Sequence, residues 1–194
     1  IGQAFGQLTT DAAKFEQLSS AMWEQFGVKA SDAIAALRKA SGGTVKDAAL
    51  VQAANRAMAL GVTKDFGEMA KLMEYARLRA RAMGMDTTQA FDDIVTGIGR
   101  GSPLILDNLG IITKGWAKEA QASGKAYNAQ FILNKVLQQA EQELGKTGKM
   151  ALTSAERMQK MQASVANAKD AFGKMANKLV SALSPAVTDL LDDF

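Results

Sequence analysis

Apolar residues return every third or fourth position along almost the whole chain. Glycines and Ser, Thr or Asp residues break the series where a helix would end or begin. That spacing puts the apolar side chains on one face of a helix, and no window alternates with the period of two that a half-buried strand needs. Proline, the strongest helix breaker, occurs only as Pro103 and Pro185. The pattern predicts an all-α fold: a multi-helix array of short-to-medium helices, followed by a long heptad-patterned helix.

Leu8, Ala12, Phe15, Leu18, Met22 and Phe26 mark a first helix, with Thr10 or Asp11 as cap and Gly27 at its end. Ser31 opens a short helix carrying Ile34 and Leu37, which stops at Gly42 and Gly43. Thr44 and Asp47 have the spacing of a capping box before Leu50, Ala54, Ala57 and Met58, with Gly61 closing. Thr63 opens the next helix, whose Phe66, Met69, Met73, Ala76, Ala80 and Met83 face inward and which Gly84 ends. Asp86 caps a helix through Phe91, Ile94, Val95 and Ile98, and Gly97 to Gly101 reads as a breaker. Ser102 followed by Pro103 is an N-cap with proline in the first helical position, and Gly110 ends that short helix. Further helices are expected over 114–122 and 128–144, with Gly145 to Gly148 as a loop.

The last element differs in kind. Met158, Met161, Val165, Ala168, Phe172, Met175, Leu179 and Ala182 alternate by three and four, which is a heptad seam. Pro185, with Ser184 as cap, interrupts it and restarts a helix carrying Val187, Leu190 and Leu191. The change of pattern near Gly145 divides the chain into a helical domain, 1–145, and a long amphipathic, coiled-coil-like segment, 146–194, cut at its end. The chain opens on Ile1 and stops at Phe194 just after an amphipathic stretch, so both ends read as cuts in a longer protein.

The chain contains neither Cys nor His. This removes disulfides, thiolate nucleophiles, the usual zinc ligands and imidazole acid–base chemistry together. The acid pairs Asp92–Asp93 and Glu141/Glu143 have spacings that do not face each other on a helix. No catalytic, cofactor-binding or metal-binding residue is assigned, and an enzyme is the least supported reading. The longest apolar runs, such as Ala33 to Leu37, fall far short of the roughly 20 residues of a spanning helix.

Three motifs invite sharper readings. Gly145-Lys146-Thr147 resembles the end of a P-loop, but Ala140 stands where its first glycine belongs, so a helix end and a loop lysine fit better. Gly97, Gly99 and Gly101 precede a helix start, yet a dinucleotide loop needs a strand before it, and Phe91 to Ile98 reads helical. Arg77, Arg79 and Arg81 suggest a nucleic-acid patch. Arg79 points away from the other two and no aromatic residues interleave, so a solvated helix face is expected. From Lys146 to Lys178, seven cations stand against two carboxylates, before Asp189, Asp192 and Asp193 reverse the sign. A basic amphipathic helix can lie on a membrane, but a regular heptad favours helix–helix packing.

A longer likeness runs from Lys39-Ala40-Ser41-Gly42-Gly43-Thr44 through Ala57-Met58-Ala59-Leu60-Gly61. It includes Arg79-Ala80-Arg81-Ala82-Met83-Gly84-Met85-Asp86-Thr87-Thr88-Gln89-Ala90-Phe91, then Asp93 to Pro103 and Ile105 to Ile111. Together these resemble the conserved region of tape measure proteins from tailed bacteriophages. Phe172-Gly173, Leu183-Ser184-Pro185-Ala186 and Leu190-Leu191 are similar to the segment before that family's hydrophobic stretches. The resemblance implies a structural protein whose copies fill the tail tube, set tail length, and leave before or with the genome at infection, helping DNA cross the host envelope. It implies as partners further copies of itself, the tail tube, the tail tip and the tail assembly chaperones, with transient membrane contact and no sequence-specific nucleic acid binding. It implies a virion location in the tail lumen, host cytoplasm during assembly, and no catalytic residue in this region. The competing expectation is a membrane-active helical module.

Overall fold

The computed structural model describes the backbone of residues 30–148 and 150–192, with the side chains of 30, 177 and 179–192 left aside. The helix expected over Leu8 to Phe26 lies outside the described residues. Those residues form eight helices and no strand: α1 (Ala30–Ala40), α2 (Asp47–Ala59), α3 (Phe66–Met83), α4 (Thr87–Gly99), α5 (Pro103–Asn108), α6 (Trp116–Ala122), α7 (Ala129–Thr147) and α8 (Ser154–Asp192). The described residues are all-α.

The centre is the α3–α4 pair. Helices α1 and α7 lie against α3, while α2, α5 and again α7 lie against α4. The apolar stripes meet in one core, with Leu37, Leu50, Met69, Leu72, Phe91, Ile94 and Leu106 fully buried. Helix α3 is covered on more than one side, so Tyr75 and Arg77 are buried beside the expected Met69, Met73, Ala76 and Ala80. Met83, expected inside, is exposed, because it sits in the last turn at the edge of the core, next to Gly84.

Side-chain capping explains four of the eight helix starts and corrects some expectations. Asp86 accepts from the Thr88 and Gln89 N–H groups, as its position predicts. Asn128 accepts from Phe131 N–H at 2.9 Å. The Thr44–Asp47 box does not form: the Thr44 hydroxyl donates to the Ser41 carbonyl at 2.7 Å, and α2 starts later, at Asp47. Asp65, not Thr63, caps α3, because its carboxylate reaches the Glu68 N–H at 2.8 Å while the Thr63 hydroxyl is engaged by the Glu68 side chain. Pro103 does occupy the first turn of α5, but the Ser102 side chain makes no capping bond.

Two glycines expected in a breaker are helical. Helix α4 continues through Gly97 to Gly99, and the chain turns only at Arg100 and Gly101. A Cβ on Gly97 would stand 2.7 Å from Leu106 Cγ, and one on Gly99 would stand 2.9 Å from Leu60 Cβ. The glycines let α5 and the end of α2 approach α4 closely, which outweighs the roughly 0.5–1 kcal/mol that glycine costs a helix. Likewise α7 runs through Gly145 to Thr147, and Gly148 is the cap, so the division expected at 145/146 falls inside a helix. The backbone of α8 stays helical past Pro185, without the restart expected at Ser184.

Candidate assembly surface

The start of α8 is built by Thr153 and Glu156. The Thr153 hydroxyl accepts from Glu156 N–H at 3.2 Å, and the Glu156 carboxylate accepts from Thr153 N–H at 2.8 Å, a reciprocal capping box. The same carboxylate reaches back to α3. Arg77 Nε donates to Glu156 Oε1 at 2.8 Å, and Arg81 Nη2 donates to Glu156 Oε2 at 2.5 Å. The Arg77 and Glu156 side chains are only 8% and 10% exposed. Burial pushes the Glu156 carboxyl up, but the hydrogen bonds from Arg77, Thr153 N–H and Arg81 outweigh it and hold the carboxyl at about 2.

The solvated arginine face expected on α3 is therefore overturned. Arg77 is buried in the Glu156 pair, and Arg79 donates to Glu143 at 2.7 Å and to the Leu109 carbonyl at 2.6 Å. Arg81 ties the Ala151 carbonyl and Glu156 together. Each guanidinium joins α3 to a later part of the chain, which a solvated face would not do.

A second tie lies about three helical turns along α8. Asn167 Oδ1 accepts from Asp47 N–H at 2.9 Å, and its amide donates to Asp47 Oδ1 at 3.2 Å. The Asp47 carboxylate also pairs with Arg38 at 2.5 Å. Glu156, Ala163 and Gly173 are buried, and Asn167 and Asp170 are partly so. The side of α8 that meets the body is thus polar or small.

The apolar seam faces the other way. Val165 is 51% exposed, Met161 57% and Phe172 71%, and Met158, Ala168 and Met175 are exposed too. Leu179 and Ala182 lie outside the described side chains. In the heptad register expected from the sequence, the seam would hold a and d. Glu156, Ala163 and Asp170 then fall at f, and Asn167 and Lys174 at c, on the opposite side. From Met158 to Met175 the exposed stripe runs about 26 Å at the helical rise.

Comparison with family models, with curated proteins and with solved structures finds no match in any of the three.

The other motifs resolve into packing. Lys146 and Thr147 end α7, where the Thr147 hydroxyl donates to the Glu143 carbonyl at 2.6 Å. Gly97 and Gly99 are helical, so no loop forms there to cradle a phosphate. Of the acid pairs, Asp92 pairs with Arg56 at 3.2 Å and Glu141 with Lys71. Glu143 is shared by Arg79 and the Tyr75 hydroxyl. Among the described residues no cluster of three metal-ligating side chains occurs. The sequence reading missed the Arg77–Glu156–Arg81 tie, although Thr153-x-x-Glu156 before an amphipathic run marks the capping box that holds its centre.

Proposed function

We propose that this chain is an assembly segment of a phage tape measure protein, in which α8 lays its seam against another helix. The observation that carries the reading is the inverted attachment of α8. A helix free to choose would bury Met158, Met161, Val165 and Phe172 and leave its charges in water. Here the body takes the polar and small side, and the apolar side is left for a partner. In a parallel coiled coil the a and d residues meet, while b, c and f look outward. The body sits on c and f, so it does not obstruct that pairing. The sequence likeness from about Lys39 to Ile111 supplies the phage context, in which copies of one long protein lie side by side in the tail tube, set its length and leave during genome delivery. In this reading the chain has no catalytic role and no cofactor, and its partners are further copies and the tube, tip and chaperone proteins of the tail.

Phe172→Asp tests the proposal. Sedimentation of the chain should show an oligomer that this change dissociates, with the melting of the body unaffected because Phe172 touches little of it. A monomer before and after the change refutes the reading.

One observation favours a second reading. The exposed seam is flanked by Lys169 and Lys178, the make-up of a helix that lies on an anionic membrane surface. Among the described residues no helix is long and apolar enough to cross a membrane. Flotation with anionic vesicles, abolished by Phe172→Asp, would favour this second reading over pairing with another helix.

A further inference from the structure

A cavity of about 480 Å³ opens where the end of α1, the following turn, α3 and α8 meet. Its polar wall is Arg38, Lys39, Arg77 and Lys160, and no carboxylate lines it. Met150 and Leu152, on the approach to α8, close one apolar side. The turn contributes Gly42 and Gly43, both at positive φ. A Cβ on Gly42 would lie 2.9 Å from Arg77 Cζ, so only a bare backbone lets the guanidinium sit under the turn. The Lys160 methylenes lie over Gly43, 3.4 Å from where its Cβ would be, which holds that side chain against the cavity.

The charge at this corner is not balanced. Its ion pairs engage two carboxylates, Asp47 and Glu156, with three arginines, Arg38, Arg77 and Arg81. Lys39 and Lys160 add two further cations on the cavity wall. Arg77 is the buried charge among them, and its Nη2 has no hydrogen-bond partner. A buried donor without an acceptor is costly, and excess positive charge beside a low-dielectric wall attracts anions strongly.

We propose that this cavity binds a small multivalent oxyanion of the phosphate class, held by Lys39, Lys160 and the free edge of Arg38 and favoured through space by Arg77. One wall belongs to α1 and another to α8, so the bound anion also clamps α8 to the body.

The probe is inorganic pyrophosphate, titrated into the full chain by calorimetry at fixed ionic strength with chloride as the balancing anion. Saturable binding at one equivalent is expected, with a higher melting temperature than chloride alone gives. Lys39→Gln/Lys160→Gln should weaken binding at least tenfold, and Lys39→Arg/Lys160→Arg should retain it. Lys114→Gln/Lys118→Gln, which removes the same charge from the α6 region, should leave binding unchanged. Absence of saturable heat overturns the proposal, as does equal weakening by both glutamine pairs, which would report net charge and not a site. Displacement of bound pyrophosphate by a short single-stranded oligonucleotide would assign the site to a backbone phosphate, and failure to displace it would assign the site to a free oxyanion.

Discussion

Glu156→Gln removes one charge and almost no volume from the junction between α3 and α8. The carboxyl falls from an ordinary 4.5 to about 2 on folding, which corresponds to about 3 kcal/mol of stabilisation at neutral pH. Removing one partner of a buried pair costs about 3–5 kcal/mol, because the other charge stays in low dielectric. Arg81 is 31% exposed and can turn to water, but Arg77 at 8% cannot, so the lower end of that range applies. Urea unfolding at pH 7 should therefore show a loss of about 3 kcal/mol. The pH dependence has a definite sign. A carboxyl depressed by folding stabilises fully above its ordinary value and loses that contribution as pH falls towards about 2. The gap between wild type and Glu156→Gln should thus narrow between about pH 5 and pH 2. Arg77→Met/Glu156→Met, which buries no charge, should recover most of the loss. A single variant within about 0.5 kcal/mol of wild type, the size of an ordinary surface change, would refute the reasoning. So would a gap that acid leaves unchanged, or a double variant less stable than the single one.

Gly97→Ala gains up to about 1 kcal/mol of helix propensity but forces a methyl onto buried Leu106, an overpacking cost of about 1–3 kcal/mol, so thermal melting should show a net loss. Asp86→Ala should cost about 1 kcal/mol in the same assay, while Ser102→Ala should be near neutral, because of the two residues Asp86 makes capping bonds and Ser102 makes none. Tyr75→Phe removes the 2.9 Å hydrogen bond to Glu143 and should lower stability by about 1 kcal/mol, with Arg79 still holding the carboxylate.

The helices were legible because their information is local. Apolar spacing and caps such as Asp86 and Asn128 act within one turn, and α3 and α4 follow from them directly. Gly97 reads as a breaker because glycine marks both a helix end and a close contact, and only the partner, Leu106, distinguishes them; Gly145 has open space beside it and is simply carried inside α7. Ser102 and Thr44 have the right residue types for caps, but whether such a side chain bonds depends on backbone angles that no single residue fixes. The arginines of α3 were misread for a different reason. Their partners, Glu143 and Glu156, lie more than sixty positions away, and periodicity carries no information about a contact of that range. The apolar spacing of Met158, Met161, Val165, Phe172 and Met175 is visible in the sequence, but its direction is not: nothing in such a spacing says which side of the helix its own domain occupies.

The outward seam also has a chemical cost. Met158, Met161 and Met175 hold thioethers in water, whereas Met69 and Met73 are sealed in the core. Peroxide would convert the exposed ones to sulfoxides first, turning apolar knobs into polar, chiral groups while the body stays intact. On the proposed pairing, an uncovered copy would be open to oxidation at the surface that joins it to another, and a covered copy would be shielded there. Redox damage, by this logic, would mark the copies that had waited longest without a partner.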